Sequence, residues 1–576
     1  TILFPAVIGS LTVVVIFALV RLFGGTTAGL IASLLFAVSL PIIIRGSIGW
    51  FKSEPLGIFY GLLGLYLFLS AINSKNNKII ILKIIFGGIV LGFGMSSWGG
   101  DQFFILPLGL FILTLPFVRK DHNFLLWSIP LFVITFILTV SIFERPGPSF
   151  VYSLGGLSLV IPTTFLISSI FIQKISNDKN KIRNSLFLLI SIIVIGSIFV
   201  IINEESNLLP LPSFRYLNAI NPFLTTTDPL VDSVAEHATP TIAQSYLFHS
   251  TLLIFSGLGA WFILSKKSFQ SKIVIKNDMK IFVLIMGITG VYVSSSFIRL
   301  EVFASISLII LTSIGLSILT KEIFKINLSK RNSYSLKISY VLVIFTLFLI
   351  PLFVPTNSNW VSAVDVPPTI LTGATNHPAS DDWLATLEWI KLNTPENSVV
   401  ASWWDYGYWI QSLSERATLA DNSTIDSLTI KNIAKIFLTS PNDGWKLLQE
   451  MNADYLVVFV AGERLDATYN DEQLYYLGHG GDESKVYWFI RIAELSEQKY
   501  FEYDSNILSN NFWNETLLGE MIPFHTATYY NAELQRETST YQPGFLPLSV
   551  KDIKYSDSKN DPLWLVYASP SFHDEK

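Results

Sequence analysis

The chain has 576 residues, of which 51% are apolar and only 14% charged, with a net charge of −5 and a mean hydropathy of +0.48. That balance excludes an ordinary soluble globular protein, offers no basic excess that would point to nucleic acid, and places the chain among polytopic membrane proteins. With no cysteine, disulfides and thiolate metal sites are excluded, while the redox compartment stays open.

The chain begins at Thr1 inside an apolar segment with no basic region before it, so it reads as a fragment rather than as a signal peptide. Apolar runs near bilayer-crossing length give about twelve candidate helices before Val354. They cover 3–20, 27–44, 56–73, 79–97, 102–118, 124–143, 150–172, 185–202, 246–264, 281–298, 302–320 and 337–354. The loops between them alternate in charge. Basic residues follow every second helix: Lys75 and Lys78, Arg119 and Lys120, then 174–183, 266–272 and 321–331. Basic loops face the cytoplasm, so the intervening loops, including the long one over 203–245, and everything after Val354 face outward. From about Pro355 the composition turns soluble, and alternating helix and strand patterns, "DDWLATLEWIKLN", "SVVASWW", "NDGWKLLQEM" and "ADYLVVFV", predict one mixed α/β domain over 355–576. No P-loop or dinucleotide fingerprint is present, so nothing in the chain supports ATP-driven transport.

Two outer acids stand beside helix mouths, Glu54 before Pro55 and Glu236 in "DSVAEHATPT". Loop carboxylates are commonly just solvated; a pair on one side of a membrane can also give oxygen ligands to a hard divalent cation. Arg299 and Glu301, in "SSSFIRLEVFAS", lie close to hydrocarbon, where charge is costly. They pair with each other, or Arg299 holds an anionic headgroup with its planar fork. In "SWWDYGYWI", Trp403 and Trp404 each offer an indole N–H and an apolar face, Asp405 accepts hydrogen bonds, and Gly407 allows a sharp turn. Such a cluster either packs a domain core or holds a small hydroxyl group.

The stretch "SWWDYGYWIQSLSERATLADNST" resembles the signature region of the catalytic subunit of oligosaccharyltransferase, the asparagine-linked glycosylation enzyme, in its archaeal single-subunit form. Further matches follow in family order: "RGSIGWFKSEPLGIF" resembles the second acidic motif, "SSWGGD" a Trp-Gly-Gly loop, "SVAE" a motif of the fifth external loop, and "GGDESKVYWFIRIAE" the DxxK motif. The resemblance implies a GT-C glycosyltransferase membrane fold with a soluble outer domain, and a first helix and first acidic loop that this chain does not include. It implies that Glu236 and Glu54 are catalytic, contacting the acceptor amide and holding Mn2+ or Mg2+. It puts Lys52 where the family has an acidic metal ligand. Arg299 resembles the arginine on the lipid-linked phosphate. Trp403, Trp404 and Asp405, shaped by Tyr406 and Gly407, resemble the pocket for the sequon hydroxyl, with Asp482 and Lys485 as the DxxK pair and Phe489 or Ile490 against the threonine methyl. The implied partners are an acceptor polypeptide bearing Asn-X-Ser/Thr, a lipid-linked oligosaccharide and membrane lipids, served by a single chain in the cell membrane with its site outside.

Three sequons occur in the chain itself. Asn514 and Asn422 lie on the outer side, Asn422 so close to the signature that a structural role is expected, and Asn327 lies in a cytoplasmic loop. Two other readings remain at this stage: another GT-C transferase, which would lack WWDYG and DxxK, and a membrane receptor that binds sequons or glycans without transferring them.

Overall fold

The structure, a computed structural model, describes residues 3–46, 52–206, 228–265, 275–326, 330–354, 359–361, 369–372, 380–469, 472–477, 480–501 and 508–522, and short strands between 530 and 568. It divides into two compact units, Thr1–Val366 and Pro367–Lys576.

The first unit opens with α1 (Phe4–Gly24) and α2 (Thr26–Ala37), which meet at Gly25. The run expected as one helix over 27–44 is broken. It stops at Ala37, Ser39 is extended, and α3 (Leu40–Ile44) restarts with Pro41 in its first turn. A proline there has no N–H to donate to the preceding turn. At 1.5 Å per residue α2 is about 18 Å long, short of a hydrocarbon core about 30 Å thick. Next come α4 (Glu54–Ile72), α5 (Asn77–Ser97), α6 (Gln102–Val118), α7 (His122–Ile142), α8 (Leu154–Ile175) and α9 (Lys181–Ser206). The side chain of Asn76 accepts from the N–H groups of Lys78 and Ile79 and so caps α5.

The run over 246–264 is two helices, α10 (Ile242–His249) and α11 (Leu252–Leu264), bent by 78° at a break that includes Ser250, whose φ is +44°. The unit continues with α12 (Asn277–Ser294), α13 (Glu301–Lys325) and α14 (Lys330–Phe353). Among the described residues ten helices are long and apolar enough to cross a membrane, eleven if the bent pair is one span; the broken second run accounts for the remaining difference from the sequence count. The chain is a multi-pass membrane protein.

Helix α13 is the hub, buried at every position from Glu301 to Ile318. A helix apolar on all sides is stable only with neighbours on all sides. Phe303 stacks on Phe103 at 4.2 Å and on Trp98 at 5.3 Å, tying the hub to the turn that starts α6. By contrast α9 and α14 leave most of their apolar side chains open, as helices against lipid do.

The second unit contains α15 (Asp382–Asn393), β1 (Val399–Ala401), β2 (Ala417–Thr418), α16 (Ser427–Phe437), α17 (Pro441–Glu450), β3 (Tyr455–Leu456), α18 (Val486–Ala493) and α19 (Asn510–Glu515). The three strands form a parallel sheet in the order β2-β1-β3, with Val400 opposite both Thr418 and Tyr455. Ala401, Ile436, Leu448 and Ala453 pack its core. The chain leaves β1 directly into the signature stretch, so the sheet fixes where "WWDYG" begins.

Candidate active site

Side chains from the end of α3, the start of α4 and two distant 3-10 turns meet in the first unit. Arg45 caps α3, Glu54 is the first residue of α4, and Glu236 and Arg299 stand in single 3-10 turns, Ala235–His237 and Ile298–Leu300. Ile298 N–H donates to the Ala238 carbonyl at 2.9 Å, which docks the two turns together. Arg299 Nη2 donates to Glu54 Oε1 at 2.6 Å and its Nε lies 3.6 Å from Glu236 Oε2, while Arg45 Nη1 donates to Glu236 Oε1 at 2.7 Å. Glu54 is 1% exposed, and its Oε2 has no hydrogen-bond partner. Partial burial works to raise the Glu236 carboxyl, but Arg45, Arg299 and Lys52 outweigh it and hold it below the ordinary carboxylate value.

Lys52 feels the charge of both acids. Desolvation pushes its ammonium below the ordinary lysine value against the pull of Glu54 and Glu236. A divalent cation needs several oxygen donors free of other partners. Among the described residues no three acidic or histidine side chains gather, and Glu54 and Glu236 already face two guanidinium groups and feel the charge of an ammonium. Glu54 and Glu236 supply two of the several oxygen donors that Mn2+ or Mg2+ would need, with Arg299 on the first and Arg45 on the second.

Glu301 does not pair with Arg299. It accepts from Ser245 at 3.1 Å and meets His249 Nε2 at 2.5 Å, and His249 Nδ1 lies 3.3 Å from Ser305. This buried network pins the bend between α10 and α11 to the hub. Asp101, from "SSWGGD", is fully buried with neither oxygen partnered, one turn along α4 from Glu54. It fits because position 57 is glycine: a Cβ there would lie 2.8 Å from Asp101 Oδ1.

In the second unit the signature stretch turns through a 3-10 segment, Trp404–Tyr406. Tyr406 is fully buried, and its hydroxyl donates to Asp482 Oδ1 at 2.7 Å. Lys485 Nζ donates to Tyr406 at 2.8 Å and to Asp405 Oδ2 at 2.9 Å, and lies 3.5 Å from Asp482. Burial opposes charge on Lys485, yet Asp482 and Asp405 raise its ammonium, while burial raises Asp482 and the Tyr406 phenol. Trp404 is buried with its indole N–H unpartnered. Gly407 is required by close approach, since a Cβ would lie 2.3 Å from the Ala420 carbonyl. Asn422 fastens the same turn: its Nδ2 donates to the Asp405 carbonyl at 2.8 Å and its Oδ1 accepts from Tyr408 N–H at 3.2 Å.

The structure therefore gathers Glu54, Glu236 and Arg299 in one cluster and Trp403, Trp404, Asp405, Tyr406, Gly407, Asp482 and Lys485 in another. Phe489 and Ile490 stand behind this cluster. Both are core residues, 0% and 1% exposed, and Phe489 packs 4.5 Å from Trp403 and 5.3 Å from Phe437. Through Phe489 they pack against the Trp403 wall. Arg45, Asp101, His249 and Glu483 escaped the sequence reading. Arg45 had a signal, a cation ending an apolar run, as did Asp101 within a quoted motif; the pairing of His249 with Glu301 had none. Asn514 lies in α19, and Asn327 falls outside the described residues.

The family description "Oligosaccharyl transferase STT3, N-terminal" matches residues 1–355, and "STT3/PglB/AglB core domain" matches residues 396–457. A dolichyl-diphosphooligosaccharide–protein glycosyltransferase subunit STT3B from Oryza sativa subsp. japonica is 23% identical over 520 residues, 84% of this chain and 68% of that protein. The STT3 subunit of Dictyostelium discoideum is 23% identical over 499 residues, 83% of this chain and 65% of that protein. The chain thus spans about two thirds of the length of these relatives. Among solved structures, the archaeal oligosaccharyltransferase AglB of Archaeoglobus fulgidus, in complex with an inhibitory peptide and a dolichol-phosphate, superposes with a TM-score of 0.60 at 15% identity, over 86% of this chain and 66% of that one. A form of the A. fulgidus enzyme with zinc and sulfate gives a TM-score of 0.54 at 14% identity, over 83% and 61%.

Proposed function

This chain belongs to the oligosaccharyl transferase STT3 family, and on that premise we propose that it moves an oligosaccharide from a polyprenyl, dolichol-type, phosphate or diphosphate carrier to the side-chain nitrogen of Asn in Asn-X-Ser/Thr sequons. An amide nitrogen is a poor nucleophile because its lone pair is delocalised into the carbonyl. Glu236 and the unpartnered Glu54 Oε2 accept the acceptor's N–H groups and localise that lone pair. The nitrogen bonds to the sugar's anomeric carbon as the bond from that carbon to the carrier's phosphate oxygen breaks; the electron pair leaves with the phosphate, and one amide proton passes to Glu236. Arg299 stabilises the departing phosphate with its planar fork.

Sequon choice falls to the second unit. Trp403 and Trp404 wall the pocket, the Trp404 N–H and Asp405 hold the Ser/Thr hydroxyl, and Tyr406, Gly407, Asp482 and Lys485 hold the turn in shape. A site built around a hydroxyl strongly rejects peptides that lack one. In this reading the chain is of the archaeal single-subunit type, acts as a monomer in the cell membrane, and keeps the acid cluster and the second unit on the extracytoplasmic side. The observation that carries the proposal is the meeting of Glu54, Glu236 and Arg299 from three separate segments. It is tested by incubating the full-length protein with extracted lipid-linked oligosaccharide and a fluorescent Asn-X-Thr peptide. Transfer shifts the peptide to a glycosylated band; a protein that binds the peptide and leaves it unshifted is a receptor instead.

A further inference from the structure

Glu236 and Arg299 are not held in register by their own contact. Arg299 Nε stands 3.6 Å from Glu236 Oε2, longer than a hydrogen bond, and the turns that carry the two residues are docked through the backbone, from Ile298 N–H to the Ala238 carbonyl. A buried set of side-chain contacts ties the same segments together. Ser39, at the start of α3, donates to Ser305 Oγ at 3.1 Å, and Arg45 caps the other end of that five-residue helix. Ser305 meets His249 Nδ1 at 3.3 Å, His249 Nε2 meets Glu301 Oε2 at 2.5 Å, and Glu301 Oε1 accepts from Ser245 at 3.1 Å. Ser245 and His249 share one face of α10, the helix that follows the Glu236 turn. Glu301 opens α13 directly after the Arg299 turn. The network therefore fastens the segments that present Arg45, Glu236 and Arg299.

Ser39 and Ser305 are fully buried, and His249 and Glu301 nearly so. A buried ionisable pair adds little stability over apolar side chains of the same volume, whereas its hydrogen bonds select one register. The order Ser305, His249, Glu301 is that of a hydrolytic relay, but Ser305 is sealed from any substrate, which excludes a nucleophile here. What the network supplies is geometry, and a reacting group misplaced by about 1 Å can lose about a hundredfold in rate.

We propose that His249 and Glu301, with Ser245, Ser305 and Ser39 as their partners, are positioning residues that hold the turns of Glu236 and Arg299 in the register transfer needs, one toward the acceptor amide and the other toward the carrier's phosphate. The proposal rests on the transferase reading above, and one readout of its test requires no transfer.

The full-length protein is compared with His249→Ala, His249→Gln and Ser245→Ala, each below its own unfolding temperature. Amide hydrogen exchange at Ile298 reports whether the two turns stay docked, and steady-state transfer to a fluorescent Asn-X-Thr peptide gives kcat and KM. In His249→Ala, exchange at Ile298 should quicken by about tenfold while α6 and α7 keep their protection. In the same variant kcat should fall by about 10–100-fold with KM for the peptide little changed. His249→Gln, which keeps a donor to Glu301, should stay within about threefold of the wild type on both readouts. If His249→Ala does not fold, Ser245→Ala, which removes one bond to Glu301, carries the same comparison. Unchanged exchange, exchange that quickens equally in α6 and α7, or quickened exchange at an unaltered kcat overturns the proposal. If no protein transfers, the wild type included, the transferase reading falls and exchange alone decides: selective quickening at Ile298 upholds the network's hold on the two turns, and its absence refutes it.

Discussion

Lys485 holds the recognition turn through charge. It touches Asp405, Asp482 and Tyr406, and Asp482 is fully buried. Removing one partner of such a group leaves the others uncompensated, so Lys485→Met should cost about 3 kcal/mol, read from thermal unfolding, and raise KM for the peptide. Glu483, the next residue after Asp482, has both carboxylate oxygens buried and unpartnered, and burial pushes it to about 8 from an ordinary 4.5. Between those values the folded chain keeps a proton that the unfolded chain releases. Stability from this group is therefore full below the ordinary value and falls as pH rises toward 8. Glu483→Gln should flatten that decline in unfolding temperature between pH 5 and 9, as expected for about this shift; an unchanged slope would assign it elsewhere. Asn422 spends both ends of its amide on the backbone of the signature turn. Mass spectrometry of the intact protein should find it unmodified although it heads a sequon, and Asn422→Ala should raise KM by about tenfold, the worth of one or two such hydrogen bonds.

At the level of elements, the bend between α10 and α11 depends on His249. With its ring on Glu301 and Ser305, replacing it by alanine leaves Oε2 of the buried Glu301 without its partner, and His249→Ala should lower stability by about 1–3 kcal/mol, with His249→Gln losing less because it keeps a donor. Apolar run length made most spans legible, because a bilayer fixes how long a helix must be. Two departures show the limit of that argument. The break at Pro41 carried a cue, a proline inside an apolar run, that hydropathy alone overrides. The bend near Ser250 carried none, since "HSTLL" holds neither glycine nor proline, and what stabilises the bend lies 52 residues away at Glu301. The signature turn was legible because its residues are adjacent and chemically unusual. The acid cluster was legible only as isolated acids: Arg45 and Glu236 lie 191 residues apart, and Arg299 and Glu54 lie 245 apart, so their pairing is a property of the packed bundle. The burial of Phe489 and Ile490 was not legible from their motif, since an amphipathic helix buries its apolar face against whichever neighbour is nearest.

For the whole molecule, the alternation of basic loops predicts an orientation that the chain itself makes easy to test, because it has no cysteine. Single cysteines at Lys75→Cys and Glu144→Cys should label from opposite sides with an impermeant maleimide, position 144 in intact cells and position 75 only after permeabilisation. Labelling of both from one side would contradict the topology. The division of labour between the two units makes a kinetic statement as well. Recognition by the second unit should appear in KM, so Asp405→Ala should raise it, whereas activation of the amide in the first unit should appear in kcat. The most direct measurement is steady-state transfer to an Asn-X-Thr peptide by Glu236→Gln, which keeps shape and removes charge. We expect kcat to fall by about 10²–10³ with KM little changed; a variant that turns over at the wild-type rate would contradict the assignment of amide activation to this acid cluster.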